Sequence, residues 1–219
     1  MGEADGDRPK LKVIQGSGGP KSAGSSNDSP HLSEFERRIS AGQLGLLILL
    51  ISLSMLFAAT VVGFLVIRYR TVGWANGLPS LPSGLWVSTA MLLAVSGLLH
   101  LSVRAARAGD DSRLLSALLG AMGFAVIFLL TQGLNWWHMV AAEMPPDIAN
   151  LYAFTFYLLT GTHAAHVIGG LVPLAVTLVN ARAGRYRPES HEGVRLTAQY
   201  WHFLDVVWLI LLALMLGTA

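Results

Sequence analysis

Five long apolar stretches organise the chain: about Gln43 to Ile67, Gly84 to Val103, Leu114 to Trp137, Leu151 to Val179 and Val194 to Leu216. Each is about 20 residues or more, the length an α-helix needs to cross roughly 30 Å of hydrocarbon. The spans contain almost nothing ionised apart from Asp205, and they lack the short alternating segments of a β-barrel. The pattern predicts an all-α integral membrane bundle of five transmembrane helices. Residues 1–32, rich in Gly, Ser, Pro, Asp and Lys, read as a disordered tail with no signal-peptide h-region. Residues 33–219 form the membrane domain. Ser33-Glu34-Phe35-Glu36 has the form of a capping box and predicts a short helix from Ser33 to Ser40. Met144-Pro145-Pro146-Asp147 cannot be helix interior and separates the third span from the fourth.

Composition agrees: 53% of the 219 residues are hydrophobic and 13% charged, against about 25% charged in soluble domains. A net charge of +2 gives no reason to expect nucleic acid as a partner. The absence of cysteine excludes disulfides, thiolate metal sites, iron–sulfur clusters and c-type haem attachment. Thirteen of the fifteen Lys and Arg residues fall on one side of the predicted spans, with only Arg68 and Arg70 on the other. By the positive-inside rule the N-terminus is cytoplasmic and the C-terminus outside. Trp74, Trp86, Trp136, Trp137 and Tyr152 then lie near the outer boundary, where amphipathic rings gather.

Polar residues inside a bilayer are costly, so they are the candidates for function. On the fourth span Gly161, Ala165 and Gly169 repeat every four residues, a small-residue stripe that lets another backbone approach closely. His163 and His166 share a different face. On the fifth, His202 and Asp205 are three apart and can meet, while Trp201, Asp205 and Trp208 form a packing stripe. A rise of 1.5 Å per residue puts Asp205 about 16 Å deep and His202 about 12 Å, close to the depth of the fourth-span histidines. His163, His166, His202 and Asp205 are therefore expected in one buried network between the fourth and fifth helices. Three uses are open to it: ligation of haem b or a metal, a proton relay, or a structural clasp that fixes helix register. The residues favour the clasp. Two histidines three apart on one helix do not by themselves supply facing axial ligands, and polar residues do not continue across the bilayer.

Phe156-Tyr157-Leu158-Leu159-Thr160-Gly161-Thr162-His163-Ala164-Ala165-His166-Val167-Ile168-Gly169-Gly170 resembles the F-x-x-x-T-G-x-H-x-x-H-V-I-x-G segment of the cytochrome c oxidase subunit III family. Tyr200-Trp201-His202-Phe203-Leu204-Asp205-Val206-Val207-Trp208 is similar to its Y-W-H-F-[VL]-D-V-V-W signature. Weaker likeness runs from about residue 40 to the end, as in a five-helix version of a family whose larger members have seven. The likeness departs at three positions where the family carries acidic residues, here Leu53, Asn135 and Arg195. It implies a non-catalytic subunit of a respiratory haem-copper oxidase in a bacterial-type cytoplasmic membrane. Such a subunit binds no haem or copper itself, packs on catalytic subunit I, which holds both, and carries structural phospholipid. Quinol oxidases and accessory subunits of nitric oxide reductases share the end motif, and a self-contained haem-b quinol oxidoreductase is the alternative of a different class.

Overall fold

A computed structural model describes residues 40–71, 83–146 and 150–218. The tail, the expected Ser33–Ser40 helix up to residue 39, Trp74 and Asp147 lie outside them; Ser40 itself is extended and caps the first helix. Among the described residues five α-helices follow one another: α1 (Ala41–Arg70), α2 (Gly84–Ala108), α3 (Asp111–Ala141), α4 (Leu151–Arg182) and α5 (Glu192–Thr218). All five are long and apolar enough to cross a membrane, and the protein is a multi-pass membrane protein. Among the described residues there is no strand; one isolated bridge pairs Arg187 with Ser190 in the α4–α5 connection.

Every helix begins at or before its apolar run and ends beyond it, because caps rather than hydropathy set the ends. Ser40 Oγ accepts the Gln43 amide at 3.1 Å, Asp110 Oδ1 that of Arg113 at 3.0 Å, and Asn150 Oδ1 that of Ala153 at 3.2 Å. Three C-termini close in Schellman geometry. Gly109 does so after α2 (φ 69°) and Gly184 after α4 (φ 62°), with Asp110 N–H on Ala105 O and Arg185 N–H on Asn180 O. After α3 the left-handed position is filled by Glu143 (φ 59°), with Met144 N–H on Met139 O.

Helices α2, α3, α4 and α5 close a four-membered ring, each packing on the next and α5 returning to α2. Cross-contacts such as Thr177–Thr197, Gly170–Trp201 and His163–Trp208 show that α4 and α5 are antiparallel. α1 lies outside this ring, against α4 and α5. Its starting end is tied to that of α5, where Glu192 Oε1 accepts from the Ser40 hydroxyl and from Gln43 Nε2. The ring's interior holds fully buried Trp201, Trp208, Phe128, Leu99, Leu118 and Leu204. The outward faces are as apolar as the inside, as a helix in lipid requires: Ile48, Met55 and Val62 of α1 and Val172 and Val179 of α4 are exposed.

Candidate functional site

The four residues expected to form one network occupy two places. His163 of α4 is completely buried where four helices meet. Its ring lies 5.1 Å from Trp208 of α5, 5.8 Å edge-on from Phe128 of α3 and 6.3 Å from Phe57 of α1. Neither ring nitrogen has a hydrogen-bond partner among the described residues. His166, one turn on, is half-buried, with its ring 5.1 Å from that of Phe57. Its Nδ1 lies 2.7 Å from Thr162 O. A carbonyl oxygen only accepts, so the proton sits on Nδ1.

His202 and Asp205 face α2 instead. His202 Nδ1 is 2.6 Å from Ser96 Oγ, and Asp205 lies about one turn further along α5. Asp205 is buried, and its Oδ1 has no partner among the described residues. His100 lies one turn along α2 from Ser96. On α5, Trp201 reaches Gly170 of α4, while His202, 100° further round the helix, reaches Ser96 of α2. A single network between α4 and α5 is therefore corrected to two clusters, one shared by α1, α3, α4 and α5 and one by α2 and α5. No hydrogen bond among the described residues joins them, and no three of their His, Asp and Glu side chains are gathered as a metal ion would need.

The motif's remaining residues weld helices together. Trp201 Nε1–H donates to Gly170 O at 3.2 Å, Tyr200 O–H to His166 O at 2.9 Å, and Trp208 Nε1–H to Thr89 Oγ1 at 2.9 Å. Thr89 in turn donates to Leu85 O at 2.8 Å, so each group in that chain is satisfied. Trp136 Nε1–H reaches Thr160 Oγ1 at 3.1 Å. It is half-buried, whereas Trp86 and Trp137 are exposed. In the small-residue stripe, Gly161 is half-buried beside Trp136 while Ala165 and Gly169 are exposed. The close approach within the chain is one residue away, at Gly170, where an added Cβ would lie 2.7 Å from Tyr200 Cε1 and 3.3 Å from Trp201. Reasoning from the sequence missed Ser96, Thr89, Phe57 and Phe128. Each sits on a different helix from the residue it serves, and a polar or aromatic residue in a span carries no mark of its partner.

At the three positions where a carboxylate was expected by resemblance, the structure has other uses. Leu53 is buried one turn before Phe57, Asn135 is buried with its Nδ2 3.5 Å from Ser88 Oγ, and Arg195 lies 3.8 Å from Glu192.

A sequence profile described as "Cytochrome c oxidase subunit III" matches residues 31–216. Curated relatives include the cytochrome c oxidase subunit 3 of Synechocystis sp., 34% identical over 175 residues, covering 78% of this chain and 72% of that one. The corresponding protein of Thermostichus vulcanus is 32% identical over 187 residues, covering 78% and 85%. That of Glycine max is 33% identical over 140 residues, covering 59% of this chain and 51% of its own length.

Proposed function

The chain belongs to the cytochrome c oxidase subunit III family, and from that premise we propose that it is the non-catalytic third subunit of a respiratory haem-copper oxidase. In this reading it sits in a bacterial-type cytoplasmic membrane with its N-terminus inside. It packs on catalytic subunit I, holds phospholipid in a cleft between its helix groups, and sustains oxygen reduction and proton pumping that occur in its partner. Haem and copper belong to that partner.

One observation carries the structural role: the family's two longest motifs are spent on holding this chain together. Tyr200, Trp201 and Trp208 are each engaged in a specific bond to α4 or α2, and His163 is enclosed by aromatic rings from three other helices. A redox centre needs ligands converging on an ion, and a relay needs polar groups linked across the bilayer. Among the described residues no three of their His, Asp and Glu side chains converge, and no hydrogen bond continues from the His202–Ser96 pair to His163 or His166. Buried polar groups that fix which helix faces meet are a known means of specifying a packing arrangement.

Affinity purification of the tagged chain in mild detergent, followed by native mass spectrometry and oxygen-uptake measurement, tests this. The expected result is a stoichiometric complex with a haem- and copper-containing catalytic chain that reduces oxygen and retains phospholipid. A partner that reduces nitric oxide and not oxygen, or purification without any haem-containing chain from oxidase-active membranes, overturns it.

A further inference from the structure

A groove of about 690 Å³ runs along the α2–α3 hairpin at the Gly109 corner, apart from both histidine clusters. All of its lining residues belong to α2, the Gly109 corner and α3, so it is separate from any cleft between α1 and the ring. Leu98 and Leu101 of α2 line its membrane-ward part, and Arg104, Asp110 and Arg113 line the part near the corner. From Leu98 to Arg104 is six residues, about 9 Å along the helix axis. The groove is therefore graded along its length, apolar toward the hydrocarbon and cationic at the membrane edge.

The two arginines differ in how they are held. Arg113 Nε is 3.2 Å from Asp110 Oδ2, an exposed pair at the start of α3. Arg104 is exposed and makes no hydrogen bond or ion pair with any described residue. Asp110 offsets one of the two positive charges, leaving an excess of about one at the mouth of a groove whose floor is aliphatic. Basic pockets between transmembrane helices bind anionic lipid headgroups, each Lys or Arg near the surface adding about fivefold in affinity.

We infer that this groove is a binding site for one anionic phospholipid, its phosphate between Arg104 and Arg113 and an acyl chain along Leu98 and Leu101. The volume lies within the range of small-molecule sites. The gradation from aliphatic to cationic matches a lipid entering sideways from its own leaflet, whereas a free phosphate would use only the mouth. The site needs only that the five helices span a membrane, so it stands or falls separately from the function proposed above.

The experiment uses the full chain in its purified complex and measures displacement of a fluorescent phosphatidylglycerol by unlabelled phosphatidylglycerol or by phosphatidylcholine with the same chains. Phosphatidylglycerol should compete the more strongly. Replacing both Arg104→Gln and Arg113→Gln should weaken that competition by about 25-fold at low salt and leave phosphatidylcholine unchanged. The pair Arg182→Gln and Arg185→Gln, at the same end of the bundle but off the groove, should change it much less. Asp110→Asn keeps a side chain able to cap α3 but frees Arg113, and should strengthen phosphatidylglycerol binding several-fold. That gain cannot arise from misfolding, so it decides the matter if the double variant fails to assemble. Equal losses in the two arginine pairs, no preference for the anionic lipid, or no gain in Asp110→Asn overturns the site. So does a protein chain found cross-linked across Arg104 in place of lipid.

Discussion

Replacing Gly170 with alanine adds one methyl group at the tightest point between α4 and α5. The new Cβ would sit 2.7 Å from Tyr200 Cε1 and 3.3 Å from two Trp201 ring atoms, where carbon atoms prefer about 3.5–4.0 Å. Relief requires the tyrosine ring to withdraw by roughly 1 Å. The ring is not free to do so, because its hydroxyl donates to His166 O at 2.9 Å, and Trp201 is fixed by its own bond to Gly170 O at 3.2 Å. Overpacking costs about 1–3 kcal/mol, and losing the tyrosine bond adds about 1 kcal/mol. Removing a glycine from a helix interior returns about 0.5–1 kcal/mol. The net expectation is a loss of about 1–3 kcal/mol, read as a lower midpoint when unfolding in mixed micelles is followed by tryptophan fluorescence. Gly169→Ala is the control. Its added Cβ would meet nothing nearer than 3.9 Å, so the same exchange should leave the isolated chain unchanged or more stable. If Gly170→Ala unfolds at or above the wild-type midpoint, the close α4–α5 approach is wrong.

Four further outcomes follow from the geometry. Thr89→Val should cost about 1–3 kcal/mol, because it strands the buried Trp208 indole N–H, while Thr89→Ser should retain most of the stability; the same unfolding assay reads both. Glu143→Gly should raise stability by about 1 kcal/mol, since a residue with a side chain is held at φ 59° there. Asp205→Ala should lower the yield of assembled complex more than it lowers turnover per assembled complex. Normal yield with abolished proton translocation would refute a structural role for that carboxyl. Gly169→Ala, harmless to the isolated chain, should reduce co-purification with the catalytic subunit if the exposed Ala165–Gly169 face is where the partner packs, and unchanged recovery would place the partner elsewhere.

Much of the fold was legible because hydropathy reports length directly: all five spans were evident, and Asn150 and Gly109 sit where cap chemistry would put them. What hydropathy does not report is azimuth. In a soluble helix the apolar stripe marks the side that packs, but in lipid the outward face is equally apolar, so the periodicity of α4 says nothing about which side meets α3 or α5. For this reason the Gly161, Ala165, Gly169 stripe, conspicuous as a pattern, points largely outward, while the working glycine is Gly170. The depths of His202 and Asp205 were consistent with those of His163 and His166, yet equal depth does not make residues neighbours. Trp201 reaches α4, whereas His202, 100° round the same helix, reaches Ser96 of α2, and no pattern in the sequence marks that choice. Ser96 was unreadable as its partner because most serines in these helices, such as Ser52 and Ser54, bond back to their own backbone.

The most direct test of the central claim, that these imidazoles and the lone membrane aspartate pack helices and do no redox chemistry, is metal analysis with a reduced-minus-oxidised optical spectrum. Both are taken on this chain after it has been separated from its complex in mild detergent. The expected result is folded, helical protein with neither stoichiometric iron or copper nor a haem Soret band, all of which stay with the catalytic partner. Iron or copper retained at one per chain, and lost on His163→Ala or His202→Ala, would contradict it.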